Sequence, residues 1–173
     1  RLIEGEFHGF QLWLNLPACE KMCPPQYREF RSSELPIRRF GSSSQVRIIS
    51  GYLNENGRLY EGILNNKFTD PHFYDVVIFP NDYFTIAPEI HQRVLIYVYD
   101  GQVGIDNRSI SKGQIGVFEY SGLLQLSTKI ESRFLYIAGN KICEPISAHG
   151  PFVMNTDSEI RQALLDYRQG NFV

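Results

Sequence analysis

Along much of the chain apolar and polar residues alternate with the period of two that sends successive side chains to opposite faces of a strand. In GFQLWLNL, Phe10, Leu12, Leu14 and Leu16 share one face while Gln11, Trp13 and Asn15 share the other, which predicts a strand with one face on a core. QVRIISGYL (45–53) predicts a second strand, ended by the turn signal Asn56-Gly57. The runs YDVVIFP, DYFTIAP, RVLIYVYDGQVGI, QIGVFEY, LLQLSTK and SRFLYIAG follow, separated at short intervals by Pro, Gly, Asn and Asp. Within the third of these, Asp100-Gly101 predicts a type I′ hairpin turn, because both central residues of that turn take positive φ. Many short antiparallel strands at this spacing predict an all-β sandwich or barrel.

The period changes once, near the C-terminus. Thr156 and Glu159 have the spacing of a capping box, Ile160, Ala163, Leu164 and Tyr167 then fall at helical spacing, and Gly170 follows as a stop. Pro151 stiffens the preceding stretch GPFVMNT (150–156), and Phe152 or Met154 is placed to staple the helix start. The stretch reads as a rigid clasp that docks a terminal helix, with Phe152, Ile160, Leu164 and Tyr167 expected on the buried side.

Composition narrows the classes. A chain of 173 residues that is 43% hydrophobic can bury one core, or one core and part of a second. Twelve Phe and ten Tyr agree with the sheet reading. A formal net charge of -2 supplies no basic field for direct nucleic-acid binding, and no apolar run reaches the roughly 20 residues of a membrane span. The chain opens on Arg1 with no signal-peptide pattern, and the missing initiator Met predicts that an upstream segment has been lost. Cys19, Cys23 and Cys143 form no CxxC pair, which argues against a disulfide framework or a thiolate zinc site and for free thiols in a reducing compartment, cytoplasmic or nuclear. Ser42 to Ser44, in GSSSQV, reads as a flexible link. Phosphate-cradling glycine motifs and a GxSxG elbow are absent.

Three longer stretches carry a resemblance. HGFQLWLNLP, KMCPPQY and above all YIAGNKICEPISAHGPFVMNTDSEIRQALLDYRQGNF closely resemble the pirin family, a branch of the cupin superfamily. The resemblance implies two stacked barrels, so this chain would hold the tail of the first (1–35), a complete second cupin-type β-barrel (40–145) and a clasp with a short C-terminal helix (150–173). It also implies a single iron in the first barrel, dioxygenation of flavonols such as quercetin, and for eukaryotic members a nuclear role as cofactor of a transcription regulator.

The family's iron ligands are three His and one Glu, in an H-x-H pair and a later H-x-E, upstream of the counterpart of HGFQLW. This chain has His8, His72, His91 and His149, none in either spacing. No catalytic, cofactor-binding or metal residue is therefore assigned, and iron belongs to the intact family rather than to this chain. His8 is expected to lead into a strand, His149 to bond a neighbouring backbone carbonyl, and His72 and His91 to be solvated in loops or at edges. Glu4 and Glu6 read as a solvated loop. Phe10, Leu12 and Leu14 are expected in a core, with Gln11 and Trp13 packing between the barrels. Two readings remain: a metal-free, non-catalytic binding or scaffold module partnered by a transcription regulator or another protein, and an iron-dependent quercetin 2,3-dioxygenase whose metal-binding segment lies outside this chain.

Overall fold

The computed structural model describes residues 8–55, 57–65, 68–119 and 122–171. These fall into two compact units, one spanning 26–143 and the other formed by 1–25 together with 144–173. Among the described residues no helix is long and apolar enough to cross a membrane.

The larger unit is all-β. Its strands are β1 (Ile37–Phe40), β2 (Ser44–Ser50), β3 (Tyr52–Glu55), β4 (Arg58–Glu61), β5 (His72–Ile78), β6 (Tyr83–Ile86), β7 (Gln92–Asp100), β8 (Gln102–Ile105), β9 (Arg108–Ser111), β10 (Ile115–Phe118), β11 (Leu124–Ser127) and β12 (Ser132–Asn140). An antiparallel sheet ordered β1-β2-β5-β12-β7-β10 packs on a second ordered β6-β11-β8-β9, and β3–β4 forms a hairpin of its own. Alternation decides which residues fill the space between the sheets: Val46 and Ile48, Tyr74, Val76 and Ile78, and Val94, Ile96 and Val98 are wholly buried. The smaller sheet answers with Phe84, Val103, Leu124 and Leu126.

The expected hairpin at Asp100-Gly101 is instead a corner. β7 lies between β12 and β10 in one sheet, whereas β8 lies between β11 and β9 in the other. Gly101 has φ +75, and a Cβ there would stand 2.3 Å from Ser132 Oγ and 2.7 Å from the Glu131 carbonyl. Hairpin and corner both require a glycine-like φ, so the dipeptide could not tell them apart.

Ser42 to Ser44 is no flexible link. The segment turns the chain from β1 into β2 around the buried Asp82 carboxylate, which accepts hydrogen bonds from the Ser42 amide (2.9 Å), the Ser43 amide (3.4 Å) and the Ser44 hydroxyl (2.6 Å). Serine does here what it does at helix caps, matching a local backbone group with a side chain. The Ser44 hydroxyl, and after it the Ser42 amide, holds the Asp82 carboxyl down to about 2. A carboxyl lowered on folding contributes stability that is present above its unfolded value near 4 and is lost as pH falls towards about 2. Urea midpoints measured through that interval should therefore fall less steeply for Asp82→Asn than for the wild type; parallel curves would show that the cage stores no charge-dependent stability.

The smaller unit joins the two ends of the sequence. The clasp around GPFVMNT is a hairpin rather than a loop: β13 (Ser147–His149) and β14 (Phe152–Met154) pair across Gly150-Pro151, with Gly150 at φ +55. The helix α1 (Asp157–Gln169) follows. The capping box forms as its spacing predicts, with the Glu159 amide donating to Thr156 Oγ1 (3.3 Å) and the Thr156 amide to Glu159 Oε2 (2.7 Å), and Gly170 closes the helix in the left-handed conformation. Phe152, Ile160 and Ala163 are buried together, with Met154 and Leu164 half-covered against them. Tyr167, expected in the buried line, is 65% exposed, its ring edge-on to Phe152 at 5.9 Å. Tyr167 lies in the last turn of α1, beyond the buried Ile160 and Ala163.

The N-terminal stretch ties into this unit from the other side. The Ala18 amide donates to Glu144 Oε2 at 2.8 Å, and Lys21 Nζ donates to the Val153 carbonyl at 3.0 Å and to Asn15 Oδ1. GFQLWLNL itself does not form the expected strand. It pairs with no other strand among the described residues, and Phe10, Leu12, Leu14 and, at 68%, Trp13 are exposed. Alternation creates a strand only where a neighbouring edge accepts its hydrogen bonds.

Candidate functional site at the mouth of the barrel

The inward row of β5 begins one residue pair earlier than its apolar part. Tyr74, Val76 and Ile78 point between the sheets, and the same period of two carries His72 inward as well. His72 is 5% exposed, which corrects its expected solvated place. It lies opposite Ala138 on β12, and Gln92, which opens β7, lies opposite Asn140, so the two side chains stand at one end of the six-stranded sheet.

There they join a chain of polar contacts that runs back to its start. The Tyr74 hydroxyl donates to the Tyr52 carbonyl at 2.6 Å and meets His72 Nδ1 at 2.9 Å. His72 Nε2 faces Asp70 Oδ2 at 3.6 Å, and Gln92 Nε2 reaches the same oxygen at 3.5 Å. The Glu89 amide donates to Gln92 Oε1, and the Tyr52 hydroxyl donates to Glu89 Oε1, each at 3.3 Å. The Tyr52 ring also stands edge-on to the imidazole at 5.0 Å.

The electrostatics follow from burial. Loss of water lowers the His72 pKa, although the carboxylates of Asp70 and Glu89 pull the other way. Burial, followed by the Glu89 carboxylate, raises the Tyr52 phenol, and burial raises Tyr74 as well. All three rings are held neutral in ordinary conditions. Beside them a hollow of about 570 Å³ is lined by His91, Gln92, Glu119, Asn140 and Lys141, with Glu119 bonded to both Arg93 and Lys141 at 2.8 Å.

These residues do not fit the iron that the resemblance implies. Such a centre needs several N or O donors converging on one point. His72 and Asp70 supply two, and among the described residues no group of three or more His, Cys, Asp or Glu is placed to hold a metal ion. The rest of the interior offers apolar packing: Tyr74 stacks on Tyr136 at 5.2 Å, and Phe84 meets Tyr136 edge-on.

The other flagged residues lie elsewhere. His8 is exposed beside Phe10, His91 is exposed at the rim of the hollow, and His149 is exposed in β13. Gln11 and Trp13 are exposed, while Glu4 and Glu6 lie outside the described residues. The three cysteines are free and exposed. No period marks Asp70 and Glu89, which precede their strands, or Gln92, the polar first residue of β7.

Comparison with known proteins places this architecture. Residues 73–173, more than half of the chain, match the Pirin C-terminal cupin domain. A Pseudomonas aeruginosa protein provisionally named quercetin 2,3-dioxygenase is 35% identical over 173 residues, covering 97% of this chain and 60% of its own length. Human pirin is 35% identical over 173 residues, covering 95% of this chain and 57% of its own. The crystal structure of a quercetin 2,3-dioxygenase from Acinetobacter baumannii superposes with a TM-score of 0.83 at 26% identity, over 92% of this chain and 55% of that one. The chain thus spans about 60% of the length of these curated relatives. With the cupin-type fold and the matched domain in agreement, the chain belongs to the pirin family.

Proposed function

We propose that this chain is the metal-free part of a pirin-type protein and works as a binding or scaffold module, with a transcription regulator or another protein as its partner. The observation that carries the reading is the filled interior. Side chains from both sheets occupy the space where a cupin could hold an ion and a substrate, and among the described residues the polar ring at the mouth brings no three His, Cys, Asp or Glu side chains together for a metal ion. The relatives' names favour a second reading, in which the same barrel belongs to an iron-dependent quercetin 2,3-dioxygenase and the metal-bearing part lies outside this chain.

Both readings require the same behaviour of these 173 residues by themselves. After incubation with a ferrous salt and dialysis, elemental analysis should find far less than one iron per chain, and quercetin absorbance should not decay in a metal-dependent way. One iron retained per chain, or turnover that follows the protein through purification, would overturn the metal-free assignment. The two readings part in the full-length protein, where metal-dependent quercetin loss selects the second.

A further inference from the structure

The hairpin β3–β4 meets the polar ring through Tyr52. It forms a sheet of its own, apart from the two that enclose the core. Glycines flank it on both sides: Gly51, at φ +79, and Gly62, whose amide donates to the Gly51 carbonyl at 2.7 Å. Two glycines joined across the neck of a hairpin make a hinge, because each absorbs backbone rotation without a side chain to clash. The hairpin is held down by buried Leu53, by an ion pair between Arg38 and Glu55, and by Tyr52. His72 lies under the neck, so close that a Cβ on Gly51 would stand 2.6 Å from its Cδ2.

The protons at this point can be assigned by elimination. A carbonyl only accepts, so the Tyr74 hydroxyl spends its single proton on the Tyr52 carbonyl at 2.6 Å. His72 Nδ1, 2.9 Å from that hydroxyl, must then be the donor. The neutral ring consequently carries a bare Nε2, buried and without a hydrogen-bond partner, 3.6 Å from Asp70 Oδ2. That separation is too long for a hydrogen bond. The closed mouth therefore accepts the neutral imidazole and bonds it from one side only.

We propose that β3–β4 is an acid-opened lid, hinged at Gly51 and Gly62 and latched over the barrel mouth by the neutral form of His72. The titratable groups facing the ring are Asp70 and Glu89, whose carboxylates favour the cation, and the phenols of Tyr52 and Tyr74. Burial outweighs the carboxylates, so the closed state binds the proton more weakly than an open state in which the ring meets water. By linkage the form that binds the proton better gains as pH falls, so the lid is fully latched above about 6.5, the ordinary histidine value, and loosens below it.

Hydrogen exchange of the β3 and β4 amides in the full chain, corrected for the intrinsic pH dependence of exchange, reads this directly. The opening constant should rise by up to about tenfold per pH unit below about pH 6.5, while amides of β5, β7 and β12 do not follow. Imidazole nitrogen shifts should show the proton on Nδ1 and a titration below 6.5. His72→Gln should abolish the pH dependence. Asp70→Asn, which removes a carboxylate that favours the cation in the closed state, should leave the onset at about 6.5 and the latch at pH 8 unchanged but carry the rise to lower pH and a larger opening constant; it decides the matter even where His72→Gln fails to fold. A pH-independent opening constant, a titration at or above about 6.5, or a rise that Asp70→Asn makes smaller would overturn the proposal.

Discussion

Phe84→Ala is expected to lower stability by about 3–5 kcal/mol, the largest effect of any single truncation in the barrel. Phe84 is wholly buried on β6 and is the one aromatic that the four-stranded sheet sends into the core. It meets Phe134 and Tyr136 edge-on at 5.8 and 6.2 Å, and it lies against Phe40 at 5.7 Å. Those partners belong to β12 and β1, the middle and the edge of the six-stranded sheet, so one side chain joins the two sheets along much of their width. Edge-on pairs of this kind add about 0.5–1.5 kcal/mol beyond burial, and truncation also leaves a cavity that rigid neighbours cannot close. Phe84→Leu, which keeps most of the bulk, should retain the greater part of the stability. Denaturant midpoints for the two variants check this. A loss below about 1 kcal/mol for Phe84→Ala would mean that the sheets are not held together through this residue.

The residues that sequence reading placed correctly are those whose signal is local. Alternation in QVRIIS and RVLIYVYD marks β2 and β7 because burial between two sheets imposes the period on the chain itself. Thr156 and Glu159 mark the start of α1 because a capping box lies within four residues. Where the deciding partner is distant, the same signals mislead. GSSS looks flexible until Asp82, some forty positions on, supplies the acceptor that its hydroxyls and amides share. Asp100-Gly101 specifies a positive φ without saying whether the chain returns beside β7 or crosses to the other sheet. GFQLWLNL has the pattern of a strand and finds no edge to join among the described residues. At the barrel mouth His72 was legible in principle, since the period of two in FYDVVI runs back to it. Asp70, Glu89 and Gln92 were not, because a polar residue before a strand or at its first position is ordinary until the fold brings three such positions together.

The clasp offers the second large effect, and its expected order follows from burial rather than from helix propensity. α1 has 13 residues, a length at which an isolated helix is marginal in water, so packing must hold it. That packing centres on Phe152, which reaches from β14 onto Ile160 and Ala163. Phe152→Ala should therefore cost about 3–5 kcal/mol, near the upper end for a buried aromatic. Leu164 is only half-covered, so Leu164→Ala should cost about half of what a fully buried leucine does, about 1–2 kcal/mol. Thr156→Ala removes the cap alone and should cost about 1 kcal/mol. The N-terminal stretch sharpens the test, because Lys21 holds the Val153 carbonyl of the same hairpin. Lys21→Ala removes that bond and also the attraction of the amine for Glu159 in the first turn of α1, so its loss of helical circular-dichroism signal should lie between those of Thr156→Ala and Phe152→Ala. Near-equal losses for Phe152→Ala and Thr156→Ala would mean that the helix stands on its cap and not on the hairpin.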